Sequence, residues 1–303
     1  MPVEVSEVTK LYGNQKAVDA VSFTVSRGEI AGFLGPNGAG KTTLMKIITG
    51  FMPPTSGKVL IDNTEVSVND PEIKRRIGYL PENNPLYPEM YVKEYLGFIA
   101  SVYRMGREST KAVENVIEIT GLVPEKNKKI GALSKGYRQR VGLAHALIHN
   151  PDILILDEAT SGLDPNQIVE IRNLIREAGR EKTVIMSTHI MQEVEAVCSR
   201  VIIIDKGRII ADEPIGRISG LLSSKRQVVH VEFDRNPGET ELHGIPGVNK
   251  VVKTAENRWQ IESASESDIR PAIFSFAVSR NITVLSLSQE ESSLEEIFRS
   301  LTG

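Results

Sequence analysis

Residues 35–43 of the chain read GPNGAGKTT, and Gly35, Gly40, Lys41 and Thr42 fill the pattern G-x-x-x-x-G-K-[ST]. Glycines let successive backbone N–H groups turn inward, and a helix starting where such a loop ends adds its partial positive charge. The result is a cradle for phosphate oxygens. Its candidate residues are Gly35, Pro36, Asn37, Gly38, Ala39, Gly40, Lys41, Thr42 and Thr43. Lys41 would reach the terminal phosphates, and the Thr42 hydroxyl would ligate Mg²⁺. A pair of acids, Asp157-Glu158, closes the apolar run Ile153–Leu156. Side chains alternate along a strand, so two neighbours at its end can serve different tasks. Asp157 is a candidate Mg²⁺ ligand, and Glu158 a candidate general base for an attacking water. Each motif alone has an inert reading, as a Gly-rich turn or an acidic strand end. Together they point to hydrolytic phosphoryl transfer.

These groups must be held by a scaffold that brings strand ends together. Ile30–Leu34 reads as a strand running into the glycine loop, and Leu44–Ile48 as helix leaving it. Residues 1 to about 220 alternate short apolar strands with helical stretches, the pattern of a mainly parallel sheet covered by helices. Ile153–Leu156 and Val201–Ile204 are apolar throughout and Thr183–Ser187 nearly so, as strands buried on both faces tend to be. Ligands of open α/β sheets bind at the carboxyl ends of the strands, which sets Asp157 and Glu158 beside the loop. Val3–Thr9 and Ala17–Val25 instead alternate apolar and polar residues about Gly13-Asn14, and read as antiparallel ribbon. From about Asn84 to His149 the pattern turns helical, with Tyr91, Tyr95, Phe98 and Val102 at spacings of four, three and four. That stretch reads as a helical insertion.

After residue 220 the character changes. Ser219–Lys225 reads as a linker, followed by strands Val228–Phe233, Val248–Thr254 and Trp259–Glu262. A helix carrying Ile269, Ile273, Phe276 and Ala277 comes next, then a strand over Ile282–Leu287. Last is a helical stripe of Leu294, Ile297, Phe298 and Leu301, begun by a Ser293/Glu296 capping box. The expected architecture is α/β: a P-loop core over 1–220 with an N-terminal antiparallel subdomain and a helical insertion, plus a small α+β domain over 225–303. The second domain shows no catalytic cluster, since His230 and His243 are not spaced with cysteines or acids as metal ligands are.

Composition narrows the function classes. The chain has 303 residues, 40% hydrophobic and 25% charged, with a net charge of −3, which excludes a disordered or disulfide-built protein. A chain this long buries roughly three-quarters of its unfolded surface. Lys and Arg (36) do not outnumber Asp and Glu (39), so no basic excess argues for nucleic acid as partner. Cys198 is the only cysteine, which fits a reducing compartment. No apolar run approaches the about 20 residues of a membrane span, and residues 1–10 carry no signal-peptide core.

Between the two phosphate motifs lies LSKGYRQR (Leu133–Arg140), with Ser134 23 residues before Asp157. SGLD (Ser161–Asp164) follows the acids, and His189 stands in STH after Thr183–Ser187. This ordered set resembles the ATP-binding subunits of ABC transporters over residues 1–220. The resemblance implies ATP and Mg²⁺ as ligands, and two subunits enclosing two ATP molecules head to tail. It gives Tyr12 the adenine-stacking role. The Ser134 hydroxyl and Gly136 N–H would reach the γ-phosphate held by the opposite subunit, and Asp164 would lie at the dimer interface. His189 would contact the γ-phosphate. Two departures stand out: Lys135 and Tyr137 replace the usual Gly and Gln of the signature, and Glu82 replaces a Gln that serves Mg²⁺ and coupling. A carboxylate is also a hard oxygen ligand, so Glu82 is retained as a metal candidate.

Leu-Pro-Glu (residues 80–82), Lys135 and the terminal SLEEIFRSLT (residues 293–302) are similar to the subfamily serving ABC-2 type exporters, including the daunorubicin type. The run from Glu82 to Leu96 is similar to gliding-motility-associated ATP-binding subunits. The implied protein is a motor on the cytoplasmic face of the inner membrane, attached through a separately encoded permease. The aromatic segment Tyr87, Met90, Tyr91 and Tyr95 would grip a short helix of that permease, or else form the core of the insertion. The competing class is a soluble ATPase of ribosomes or chromosomes. Those relatives carry two cassettes or a long coiled coil, and neither pattern is present here. A P-loop kinase would need neither the Ser134 segment nor His189.

Overall fold

The computed structural model of the chain describes residues 1–217, 227–263 and 268–290. The chain divides into two compact units, Met1–Ile215 and Gly216–Gly303. The linker expected at 219–225 and the final helix with its Ser293/Glu296 box lie outside the described residues.

The first unit is built on a six-stranded sheet. Its strands are β3 (Ile30–Leu34), β6 (Ile77–Leu80), β7 (Ile153–Asp157), β8 (Thr183–Thr188), β9 (Arg200–Asp205) and β10 (Arg208–Pro214). They run in the order β10-β9-β3-β8-β7-β6, parallel throughout except for the β10/β9 hairpin. The three apolar strands of the sequence occupy its centre, and every residue of β7 and β8 is buried. The order 9-3-8-7 places Leu34 opposite both Thr188 and Ile203, and Asp157 opposite Ser187. The carboxyl ends of β3, β7 and β8 therefore meet at one edge.

A second, antiparallel sheet runs β2-β1-β4-β5, from β1 (Val3–Tyr12), β2 (Gln15–Val25), β4 (Ser56–Ile61) and β5 (Thr64–Glu65). The hairpin turns at Gly13, whose φ of 59° suits glycine. Val3, Val5, Val21, Phe23 and Val25 face inward and share one core with α1 (Lys41–Ile48) and strands β3, β7, β8 and β9. Short α2 (Pro71–Arg75) leads into β6, capped by Asp70, which accepts from Glu72 N at 2.9 Å.

The insertion comprises α3 (Val92–Val102), α4 (Ser109–Ile119) and α5 (Lys135–Leu147), with a separate core of Val92, Leu96, Ile99, Val113, Ile117, Val141 and others. The Tyr91/Tyr95/Phe98/Val102 stripe marks α3, but only Tyr95 faces that core; Tyr91, Phe98 and Val102 are 48%, 42% and 59% exposed. An adjacent stripe, Val92, Leu96 and Ile99, is the buried one. The helix is apolar on two neighbouring faces, which a spacing rule cannot rank. α6 (Pro165–Gly179) and α7 (Met191–Val197) complete the unit.

The second unit follows the order β11 (Gln227–Phe233), α8 (Glu239–His243), β12 (Val248–Lys253), β13 (Arg258–Ser263), α9 (Arg270–Ser279), β14 (Val284–Glu290). Its sheet runs β12-β13-β11-β14, antiparallel throughout, a split βαββαβ arrangement. Val229, Val231 and Phe233 alternate inward against Leu242, Trp259, Ile261, Ile269 and Ile273. The last strand begins two residues later than its sequence pattern suggests, because Ile282 still belongs to the turn after α9.

No helix among the described residues is long and apolar enough to cross a membrane.

Candidate active site

The glycine loop leaves β3 and re-enters as α1, whose N-cap is Gly40 with φ 105°. Glycine is required at both ends of the loop. A Cβ on Gly35 would lie 2.3 Å from the Ile204 carbonyl oxygen, and one on Gly40 2.3 Å from that of Ala17. Backbone cannot yield there as a flexible side chain would. The loop is thereby pressed against β9 and the β2 hairpin, with its helix end free to face an anion. Lys41, 5% exposed, arches back over the loop and donates to the carbonyls of Gly35 (2.7 Å) and Pro36 (3.2 Å). Burial lowers its pKa, while the charges of Glu158, Asp157 and Glu82 raise it. Asn37, Gly38, Gly40, Lys41, Thr42 and Thr43 line one pocket with Gln15, Ala17, Glu82 and Glu158.

Asp157 and Glu158 end β7 beside this pocket and point to different tasks. Asp157 is fully buried. Its Oδ1 accepts from the Ser187 hydroxyl, and its Oδ2 is buried with no hydrogen-bond partner. Asp157, Thr42 and Glu82 line a cavity of about 490 Å³ that extends toward Tyr79 and His145. Burial first, then the charges of Asp157 and Glu82, hold the Tyr79 hydroxyl protonated. Glu158 adopts φ 54°, a left-handed conformation costing a non-glycine residue about 1–2 kcal/mol. Its carboxylate lies 2.8 Å from His189 Nδ1 and 3.8 Å from Lys41 Nζ. A strained backbone that aims a buried carboxylate at a lysine and a histidine is characteristic of a reactive position.

The donor set fits Mg²⁺. An orphaned buried carboxylate oxygen on Asp157, the Thr42 hydroxyl and the Glu82 carboxylate are hard oxygens around one cavity. Among the described residues no group of three or more His, Cys, Asp or Glu could hold a metal alone. Mg²⁺ commonly takes one or two protein oxygens and completes its shell with phosphates and water.

Ser134, Gly136 and Asp164 form a second, separate group and do not line the phosphate pocket. Ser134 is exposed and caps α5, accepting from Tyr137 N at 3.4 Å. Asp164 caps α6, accepting from Gln167 N at 3.0 Å. Gly136 packs against the Gln167 side chain, and Gly162 against that of Lys135, so the two caps are neighbours. Tyr12 stands 49% exposed at the hairpin end, paired with Gln15, which lines the pocket; its hydroxyl lies 3.3 Å from Met52 Sδ. Ser187, which fixes Asp157, was not singled out in the sequence. It sits in a fully buried strand that also carries Thr183 and Thr188, and buried hydroxyls there are the available signal.

Residues 18–161 match the ABC transporter family, and residues 222–302 match the C-terminal domain of DrrA1-3-like ATP-binding proteins. The chain is 35% identical over 314 residues to the bacitracin transport ATP-binding protein BcrA of Bacillus licheniformis, covering 99% of this chain and 97% of that protein. It is 33% identical over 311 residues to the linearmycin resistance ATP-binding protein LnrL of Bacillus subtilis strain 168, covering 99% and 98%. Its fold is similar, with a TM-score of 0.65 and 30% identity, to a dimeric post-hydrolysis state of the ATP-binding cassette MJ0796 bound to ADP and Pi, over 70% of this chain and 98% of that one.

Proposed function

This chain belongs to the ABC transporter ATP-binding family, and we propose that it is the ATP-hydrolysing motor subunit of an exporter whose membrane permease, of ABC-2 type, is a separate chain. The observation that carries the hydrolytic reading is the Glu158 carboxylate held between Lys41 at 3.8 Å and His189 at 2.8 Å at the mouth of the phosphate pocket. The loop amides and Lys41 bind and orient the β- and γ-phosphates of ATP. Asp157, Thr42 and Glu82 would hold Mg²⁺, which supplies charge neutralisation on the phosphate oxygens when bound. Glu158 orients the attacking water and accepts its proton. His189 fixes the Glu158 carboxylate and offers its other ring nitrogen toward the γ-phosphate.

Ser134, Gly136 and Asp164 lie apart from the pocket of their own chain. Supplied by a second copy, the Ser134 hydroxyl and the amide end of α5 would close the site over the γ-phosphate, with Tyr12 stacking on adenine. The exposed aromatic surface of Tyr87, Tyr91 and Phe98 supports a permease docking face. The names of the transport and resistance relatives support export. A gliding-motility role is the narrower reading, supported by the run from Glu82 to Leu96. The location that follows is the cytoplasmic face of the inner membrane, peripheral through the permease.

Glu158→Gln tests the reading. The amide cannot accept the proton, so turnover should fall by a hundredfold or more, about the worth of a general base, while ATP still binds. Unchanged turnover would remove Glu158 from this role.

A further inference from the structure

Beneath the site lies a buried carboxylate that the hydrolytic chemistry above does not use. Glu193, on α7, is 1% exposed. Its two oxygens are divided between two hydroxyls: Oε1 accepts from Thr160 Oγ1, and Oε2 from Thr188 Oγ1 at 2.6 Å. Both threonines are buried as well. A buried carboxylate is costly unless its oxygens are satisfied, so this trio is bound to stay together.

The two hydroxyls come from the two segments that carry the reacting groups. Thr160 lies two residues after Glu158 and four before Asp164. Thr188 immediately precedes His189. Each threonine also fixes its own turn. Leu163 N donates to the Thr160 carbonyl at 3.3 Å, and Ile190 N donates to Thr188 Oγ1 at 3.0 Å. The same two segments are joined above by the His189–Glu158 contact and by Glu158 N donating to the Ser187 carbonyl at 3.1 Å. The left-handed backbone of Glu158 has no intrinsic preference for its conformation, and surrounding anchors must impose it.

We propose that Glu193 is a positioning residue for ATP hydrolysis, clamping the Glu158–Asp164 segment to the Thr188–Ile190 turn. The clamp holds general base and histidine in register. It also ties the partly exposed Ser161–Asp164 stretch mechanically to His189, so that whatever presses on Asp164 is felt at the base. The proposal rests on the hydrolytic reading of Glu158.

The test is steady-state ATPase kinetics of the full chain with MgATP. Thr160→Val keeps the shape and removes the hydroxyl, leaving one Glu193 oxygen unsatisfied. A base displaced by a fraction of an ångström should cost about tenfold in kcat. KM should stay within about twofold, because phosphate binding is untouched. Thr160→Ser, which restores the hydroxyl, should return kcat to the wild-type level. Adding Glu193→Ala to Thr160→Val should cost less than the product of the two single losses, as expected of one unit. The clamp is overturned if Thr160→Val turns over like wild type, if its loss merely tracks the folded fraction, or if serine fails to rescue. A wild-type chain that does not hydrolyse ATP would overturn the hydrolytic reading itself and the clamp with it. A hydrolysing wild type with an unaffected Thr160→Val overturns the clamp alone.

Discussion

At the scale of single residues, the proposed function gives each group of the glycine-loop pocket one job, and substitutions should separate those jobs. In its proposed role Lys41 would contribute charge at the phosphates, so Lys41→Ala should weaken ATP binding by about a hundredfold, as expected for a buried charge-assisted contact of about 2–3 kcal/mol, measured by titration with a fluorescent nucleotide. With Asp157 and Glu82 as the proposed carboxylate ligands, Asp157→Asn would halve the charge available to Mg²⁺ while keeping the shape that receives the Ser187 hydroxyl. Its expected signature is a higher Mg²⁺ requirement for turnover, read from activity at fixed ATP and rising Mg²⁺, with the fold's Tm little changed. Glycine loop, lysine and paired acids were legible in the sequence because their chemistry is local: a contiguous loop and two neighbouring residues. Ser187 on Asp157, and Thr160 and Thr188 on Glu193, were not. The Ser187 and Thr160 contacts join residues 30 and 33 apart, and only the order of strands makes them neighbours.

At the scale of elements, the sheet was readable from its three largely apolar strands, since burial on both faces leaves few polar positions, and those of β8 are small hydroxyls. Which face of α3 is buried was not readable, because two apolar stripes lie side by side. The exposed stripe is the face proposed for the permease. Tyr91→Asp with Phe98→Asp should leave ATPase activity and Tm near wild type but prevent copurification with a membrane protein.

The seam between insertion and core carries a different prediction. His149, just beyond α5, stacks on Tyr103 at 3.8 Å and meets the Ile77 carbonyl of β6 at 3.2 Å through Nε2. Burial pushes its pKa down to about 4. An unfolded histidine titrates near 6.5, so between pH 6.5 and about 4 the unfolded chain takes up a proton that the native one refuses. Native stability from this group is therefore complete above about 6.5 and falls as pH drops toward 4, by up to about 1.4 kcal/mol per pH unit. His145, also lowered by burial, acts in the same direction. His149→Phe keeps the stack without the titration and should flatten Tm against pH in that window. An unchanged slope would place the acid sensitivity elsewhere.

At the scale of the whole molecule, Ser134, Gly136 and Asp164 do not line the glycine-loop pocket of their own chain. In the proposed arrangement a second copy would bring its Ser134–Asp164 caps over that pocket. Glu158→Gln with MgATP should accordingly elute at the mass of a dimer, and at that of a monomer without nucleotide. The net charge of −3 is compatible with the proposed site, where loop amides and Lys41 would bind the phosphates without a basic surface. The proposed transport path belongs to another chain. That division of labour is the central claim. It is tested most directly by purifying the full-length chain from its native membranes in mild detergent and identifying what accompanies it. The account predicts a multispanning membrane protein in fixed proportion. Recovery with ribosomes or DNA, and with no multispanning protein, would contradict it.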